Sequence, residues 1–248
     1  MVPAFITRLD EAVAHYCLKR CHNIRDLRRY AKRRIPRPMF DYMDGAADDE
    51  VTLNRNQSDF NRYDLLPRYL VDVGEIDPST EIMGQHIELP IVLAPTGMSR
   101  LFNNDGEIAA SAAAADAGTV YSLSTLSTYS IEEVAEVCSG PKWFQLYMPK
   151  DRGVARQLVQ RVEKAGFKAI IMTVDLGEWK DADRRNKFAL PKAALVKHLR
   201  DIGFDQVTDQ MSYQDVLDFN EQAWQISLSW DIFDWLRSIT NLPLLIKG

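Results

Sequence analysis

Cysteine is scarce, with three in 248 residues. That is too few for a disulfide-stapled scaffold and points to a reducing compartment. No stretch approaches the ~20 consecutive apolar positions that a membrane-spanning helix requires. Asp10 and Glu11 interrupt any apolar segment near the N-terminus, so no secretory leader is expected and a cytoplasmic location is. Low-complexity linkers are lacking too. Histidine is limited to His15, His22, His86 and His198, none of which follows an apolar strand pattern. His15 and His22 flank Cys17 and Cys21 in HYCLKRCH, but the spacing is not that of a zinc knuckle, and no metal site is expected. Positive charge is in the minority: a net charge of −5 and a pI near 5.5 leave no global field to recruit nucleic acid. The cations between Lys19 and Arg37 are interleaved with Ile24, Leu27, Tyr30, Ala31 and Ile35 at helical spacing, the pattern of a solvated amphipathic face.

What is present is a composition able to bury a sizeable core, 46% hydrophobic and 26% charged. Residues 10–34 read as one or two helices. Pro36 and Pro38 then break the pattern before a short helix from Phe40 to Met43 that Gly45 ends. EIMGQHIELPIVLAP reads as a short hairpin running into a buried strand. From there apolar runs alternate with helical patterns. The runs cover 90–97, 119–125, 142–148, 168–175 and 242–247. Between them lie an Ala-rich helix closed by Gly118, a helix with Ser130 and Glu133 spaced as a capping box, and a helix ended by Gly166. A long polar excursion over 176–228 follows, and then a helix with Ser229 as its expected N-cap.

Such alternation implies parallel strands joined by right-handed crossovers, and consecutive apolar residues imply a sheet covered on both faces. Each run turns polar at its end: Thr96, then Ser124 and Thr125, Gln145 and Tyr147, Thr173 and Asp175, and Lys247. A (β/α)₈ barrel places polar groups at the rim on every strand, whereas an open doubly wound sheet concentrates its site at one switch point. No Gly-x-Gly-x-x-Gly follows the first strand. The expectation is therefore a TIM barrel cut short after about five strands. It forms a single incomplete domain, with an N-terminal helical region over 1–80 and the first five βα units over 81–248. A lysine that concludes a buried strand, Lys247, needs an anionic or strongly polar partner. The amides, hydroxyls and single cation suit a flat heteroaromatic ligand that gains negative charge in turnover.

FDYMDGAADDEVTLNRN, LPIVLAPTGMSRLF, LSTLSTYSIEEVA, WFQLYMPKDRG, GFKAIIMTVD and SLSWDIFDWLRSITNLPLLIKG occur in this order. Together they resemble the FMN-dependent L-2-hydroxy-acid dehydrogenases and oxidases, the family of glycolate oxidase, L-lactate dehydrogenase, mandelate dehydrogenase and flavocytochrome b2. The likeness runs from about residue 24 to the last residue. It implies a TIM-barrel flavoenzyme with FMN as cofactor and a small, lactate-like 2-hydroxy acid as substrate. By position, Ala94, Pro95 and Thr96 match the segment along the flavin near N5. Ser124, Gln145 and Thr173 match residues that hydrogen-bond the ring, and Lys247 the lysine facing N1 and O2. Tyr42 and Tyr147 match the tyrosines that contact substrate carboxylate and hydroxyl. Asp175 matches the carboxylate that orients the catalytic histidine.

The resemblance also implies departures. The family's histidine and carboxylate-clamping arginine share a His-Gly-x-Arg segment after the next strand, which places them, with the phosphate-binding loops, beyond Gly248. Asp175 is thus expected to lack its partner. LGEWKDADRRNKF is shorter than the usual Pro-x-x-Gly-x-Arg-Glu-x-Asp, with Lys180 near the arginine position. The chain alone is expected to be inactive and to hold FMN poorly. The alternative is a non-catalytic fragment, or a half-barrel that pairs through LPLLIKG with a sister chain or a complementing C-terminal half. The electron acceptor could be oxygen, a quinone or a cytochrome. FALPKAALVKHLRDIGF has apolar spacing that suits either core packing or a peripheral helix at the inner membrane.

Overall fold

The computed structural model describes residues 18–176 and 190–248. Residues 18–65 form one compact unit, and residues 66–176 with 190–248 form another. The readings placed on His15, Cys17 and Lys180 lie outside the described residues.

In the first unit, α1 spans Ile24–Arg34. Asn23 caps it by accepting from the Asp26 N–H at 3.0 Å, and Lys32, Arg33 and Arg34 in the last turn complement the helix dipole. The second helix starts earlier than expected. α2 covers Arg37–Asp44, because Pro38 sits in the first turn, where a missing N–H leaves no bond unmade. Gly45 ends it, donating to the Asp41 carbonyl. Arg28 grips Asp44 with two nitrogens, one at 2.7 Å, which ties the two helices together. α3 follows at Val51–Ser58.

The second unit opens with the expected hairpin, β1 (Thr80–Ile82) antiparallel to β2 (Gln85–Ile87). Met83 and Gly84 turn it with φ of 49° and 70°, as a tight primed turn requires. The run at 90–97, expected as a buried strand, is not one. Leu93 makes a single parallel bridge to Tyr121, and Leu89, Ile91 and Leu93 are exposed. Pro90 and Pro95 have no N–H to give to a ladder.

The remaining runs form one parallel sheet ordered β3 (Tyr121–Ser124), β4 (Lys142–Leu146), β5 (Ile170–Thr173) and β6 (Leu244–Lys247). α4 (Gly106–Asp116) leads into β3, and the crossovers that follow are α5 (Ile131–Val137) and α6 (Arg152–Lys164). The excursion holds α7 (Lys192–Ile202) and α8 (Tyr213–Ala223), and α9 (Asp231–Arg237) leads into β6. Ser130 and Glu133 form the capping box in both directions. α9 starts one residue beyond the expected position. Its N-cap is Trp230, and the Ser229 hydroxyl reaches Asp231 at 3.3 Å instead.

Side chains alternate across the sheet. Leu123, Phe144, Leu146, Ile170 and Met172 meet Val134, Leu158, Val162, Leu199 and Leu236 of the helices in the larger cluster. The other face carries a smaller one, Ile87, Val120, Trp143, Ala169 and Ile171, with Leu245 packed against it. The described part of the excursion is largely helical, and the α7 stripe of Leu195, Val196, Leu199 and Ile202 is buried in the core, as the core-packing reading of its spacing expected. β6 is only half-buried, with Ile246 52% exposed, since among the described residues it pairs with β5 alone. No described helix is long and apolar enough to cross a membrane.

Candidate active site

Ser124, Gln145, Thr173 and Lys247, at the ends of the four strands, share the face opposite the large cluster. Parallel register sets Ser124 beside Gln145, Gln145 beside Ile171, and Thr173 beside Lys247. Gln145 is the hub, 2% exposed. Its Oε1 accepts from Ser124 Oγ at 3.0 Å and from the Thr125 N–H at 3.2 Å, and its Nε2 donates to Thr173 Oγ1 at 2.8 Å. Thr125 adds a second stitch: its hydroxyl donates to the Gln145 carbonyl at 2.6 Å and accepts from the Tyr147 N–H at 3.0 Å. Three strand tips are thereby laced side to side. Thr173 still has its own hydroxyl proton to donate, and Gln145 a second amide hydrogen.

Lys247 ends the row, and its expected burial is corrected. Its side chain is 42% exposed, and Nζ stands 3.9 Å from Asp175 Oδ1, itself on a side chain 55% exposed. β6 has no neighbour on its outer side among the described residues, so nothing covers the ammonium. Asp175, expected to lack its histidine partner, faces this lysine across the β5–β6 pair. A pair so long and wet contributes little to stability, which leaves the ammonium available to a bound anion.

On the far side of β3, the Leu93–Tyr121 bridge and the bond from the Met98 N–H to the Leu126 carbonyl, 2.7 Å, keep one register. Ala94, Pro95 and Thr96 therefore run alongside β3, with Thr96 level with Ser124. Ala94 and Thr96 are exposed. Tyr147 follows the last residue of β4 and packs edge-on to Trp224, centroids 6.1 Å apart, while Trp224 packs edge-on to Phe204 at 6.0 Å. The excursion thus positions Tyr147. Tyr42 belongs to the first unit, half-buried on α2. Among the described residues no group of side chains could hold a metal ion.

Sequence reasoning missed Glu107, Trp224 and His198. His198, on α7, donates to the Ser127 backbone, and its Nε2 is sealed from solvent without a partner; burial pushes its pKa down to about 4. One signal for Glu107 was available: a single acid in an otherwise Ala-rich helix start.

The profile of the FMN-dependent dehydrogenases matches residues 31–248. The chain belongs to the FMN-dependent dehydrogenase family. Glycolate oxidase 3 of Arabidopsis thaliana is 41% identical over 229 residues, covering 91% of this chain and 62% of that protein. An L-lactate oxidase of Nostoc sp. is 41% identical over 233 residues, 91% of this chain and 64% of its own length. Among solved structures, a mandelate oxidase superposes with a TM-score of 0.74 at 35% identity, over 90% of this chain and 61% of that one. A mutant of an active (S)-mandelate dehydrogenase chimera gives 0.80 at 30% identity, over 91% and 64%. The chain therefore spans a little under two thirds of the relatives it matches. The donor set at the rim fits the family's cofactor: unspent amide and hydroxyl hydrogens in a row, one available ammonium, and an exposed segment alongside.

Proposed function

We propose that this chain carries the flavin-binding rim of an FMN-dependent oxidoreductase that converts a small, lactate-like L-2-hydroxy acid to its 2-oxo acid. One observation carries the reading: Ser124, Gln145 and Thr173, from three adjacent parallel strands, are hydrogen-bonded in a row that ends beside Lys247. The relatives named above support the substrate class, since each is named for a 2-hydroxy acid.

FMN, when bound, supplies the two-electron acceptor. Ser124, Gln145, Thr173 and Lys247 would hold its polar edge. Lys247 keeps a positive charge there against the negative charge that reduction brings. Ala94, Pro95 and Thr96 would lie along the ring. Tyr147 would orient the substrate hydroxyl and Tyr42 the carboxylate. Asp175 would hold the charged form of an imidazole that takes the hydroxyl proton. Among the described residues Asp175 pairs with Lys247, which supports the reading that the imidazole is not one of them and that the 248-residue chain alone turns over no 2-hydroxy acid.

Titration of FMN against the purified chain, read by loss of flavin fluorescence, tests this. Weak but saturable binding is expected, and Gln145→Leu or Lys247→Met should weaken it on the order of tenfold. A chain that leaves FMN fluorescence untouched refutes the reading. Oxidation of L-lactate, glycolate or L-mandelate by the chain alone refutes its inactivity.

The exposure of both flanks of the sheet favours a second reading, a half-barrel that pairs with another chain. Ile246 is 52% exposed and Ile91 59%, and β6 is unpaired outside β5 among the described residues. Self-association that Ile246→Lys abolishes is expected in sedimentation; a strictly monomeric chain removes self-pairing from consideration.

A further inference from the structure

The geometry points to Glu107 as a positioning residue that fastens two segments of the rim together. This rests on the flavin-site reading above. Glu107 is the second residue of α4 and is wholly buried, 0% exposed. Sealing a carboxylate from water is costly unless its oxygens are all engaged. Among the described residues no cation pairs with it; its oxygens are spent on two loops. Oε1 accepts from the Ser99 N–H and from the Thr128 N–H, each at 3.0 Å, and Oε2 accepts from the Thr128 hydroxyl at 2.5 Å. The start of α4 adds the favourable end of a helix dipole.

Ser99 ends the loop that carries Ala94, Pro95 and Thr96, and Thr128 ends the loop that begins at Ser124 and Thr125. Two further features draw the same loops together. The Met98 N–H donates to the Leu126 carbonyl at 2.7 Å, with Met98 in the left-handed region at φ 56°. Gly97 lets the chains approach, since a Cβ there would stand 2.8 Å from Leu126 Cβ. Met98 and Gly97 bring backbone to backbone, and Glu107 pins the result to a helix. The distance between Thr96 and Ser124, two of the groups assigned to FMN, is thereby held by a side chain that itself reaches no ligand.

The test separates a positioning role from a merely structural one. Glu107→Gln keeps the carbonyl acceptor for both N–H groups, and its amide can donate to the Thr128 oxygen once that hydroxyl turns. Glu107→Ala removes all three bonds, and Thr128→Val removes the hydroxyl bond alone. Val134→Ala, in the helix-side core, serves as a control of matched destabilisation. Hydrogen exchange at the Ser99 and Thr128 amides of the cofactor-free chain reads the clamp, and FMN affinity reads its purpose. Glu107→Ala should speed exchange at both amides and weaken FMN binding, each on the order of tenfold, with Thr128→Val intermediate and Glu107→Gln near the parent. Unchanged exchange in Glu107→Ala overturns the clamp. A loss of FMN affinity no larger than that of Val134→Ala overturns the positioning role. If the parent chain binds no FMN, the site reading and the positioning role fall together, and the exchange data still judge the clamp. Should Glu107→Ala fail to fold, Thr128→Val carries the same comparisons.

Discussion

Gln145 is the side chain on which most of the rim depends, because one amide on β4 engages groups at the ends of both neighbouring strands, β3 and β5. Gln145→Leu preserves its bulk and leaves Ser124 Oγ, the Thr125 N–H and Thr173 Oγ1 short of a buried partner. Each such orphan costs about 1–3 kcal/mol, so a loss of at least about 2 kcal/mol is expected in urea unfolding. His198 sets a pH dependence. Its folded pKa, about 4, lies below the unfolded value of 6.5, so the unfolded chain binds the extra proton. The stability held above pH 6.5 is lost as pH falls towards 4, by up to about 3 kcal/mol. His198→Gln should flatten that part of the profile, and parallel parent and variant profiles between pH 7 and 4 would contradict the assignment. That Ser124, Gln145 and Thr173 stand at strand tips was legible, because an apolar run that turns polar marks its own end. That Asp175 faces Lys247 was not, because the neighbour of a strand is a matter of topology. Glu107 was hidden for another reason: an isolated acid on an Ala-rich helix looks solvated until the loops folded over it are seen.

At the scale of elements, periodicity and end signals served well where they were local. The capping box of Ser130 and Glu133 needs only four residues, and Gly118 and Gly166 close their helices at φ of 63° and 80°. Ser130→Ala should cost about 1 kcal/mol, with Tm falling accordingly. The apolar run at 90–97 misled because its hydrophobicity signals a strand while Pro90 and Pro95 lack the N–H groups that a ladder needs. α7 was ambiguous because a helix face destined for a core and one destined for lipid share the same spacing. The structure resolves it: Leu199 is fully buried, so Leu199→Ala should cost about 2–5 kcal/mol in urea unfolding. A cost near zero would return the helix to the surface.

At the scale of the whole molecule, the strand–helix rhythm announced a parallel sheet and barrel-type crossovers, and family membership agrees. How many strands pair, and which edges stay open, was beyond reach, since those depend on neighbours that no local pattern encodes. The two faces of the sheet are unequal as well. The face away from the helices has only a small cluster, and there Trp143 is 3% exposed with its indole N–H unpartnered. Trp143 precedes Gln145 by two residues on the same face, so its ring stands roughly 7 Å along the strand from the hub of the rim. An indole in that position is a built-in optical gauge. Resonance energy transfer from Trp143 to anything yellow that settles above it should dim its emission, and Trp143→Phe isolates that share from the other tryptophans, turning the emptier side of the sheet into the place where occupancy can be watched.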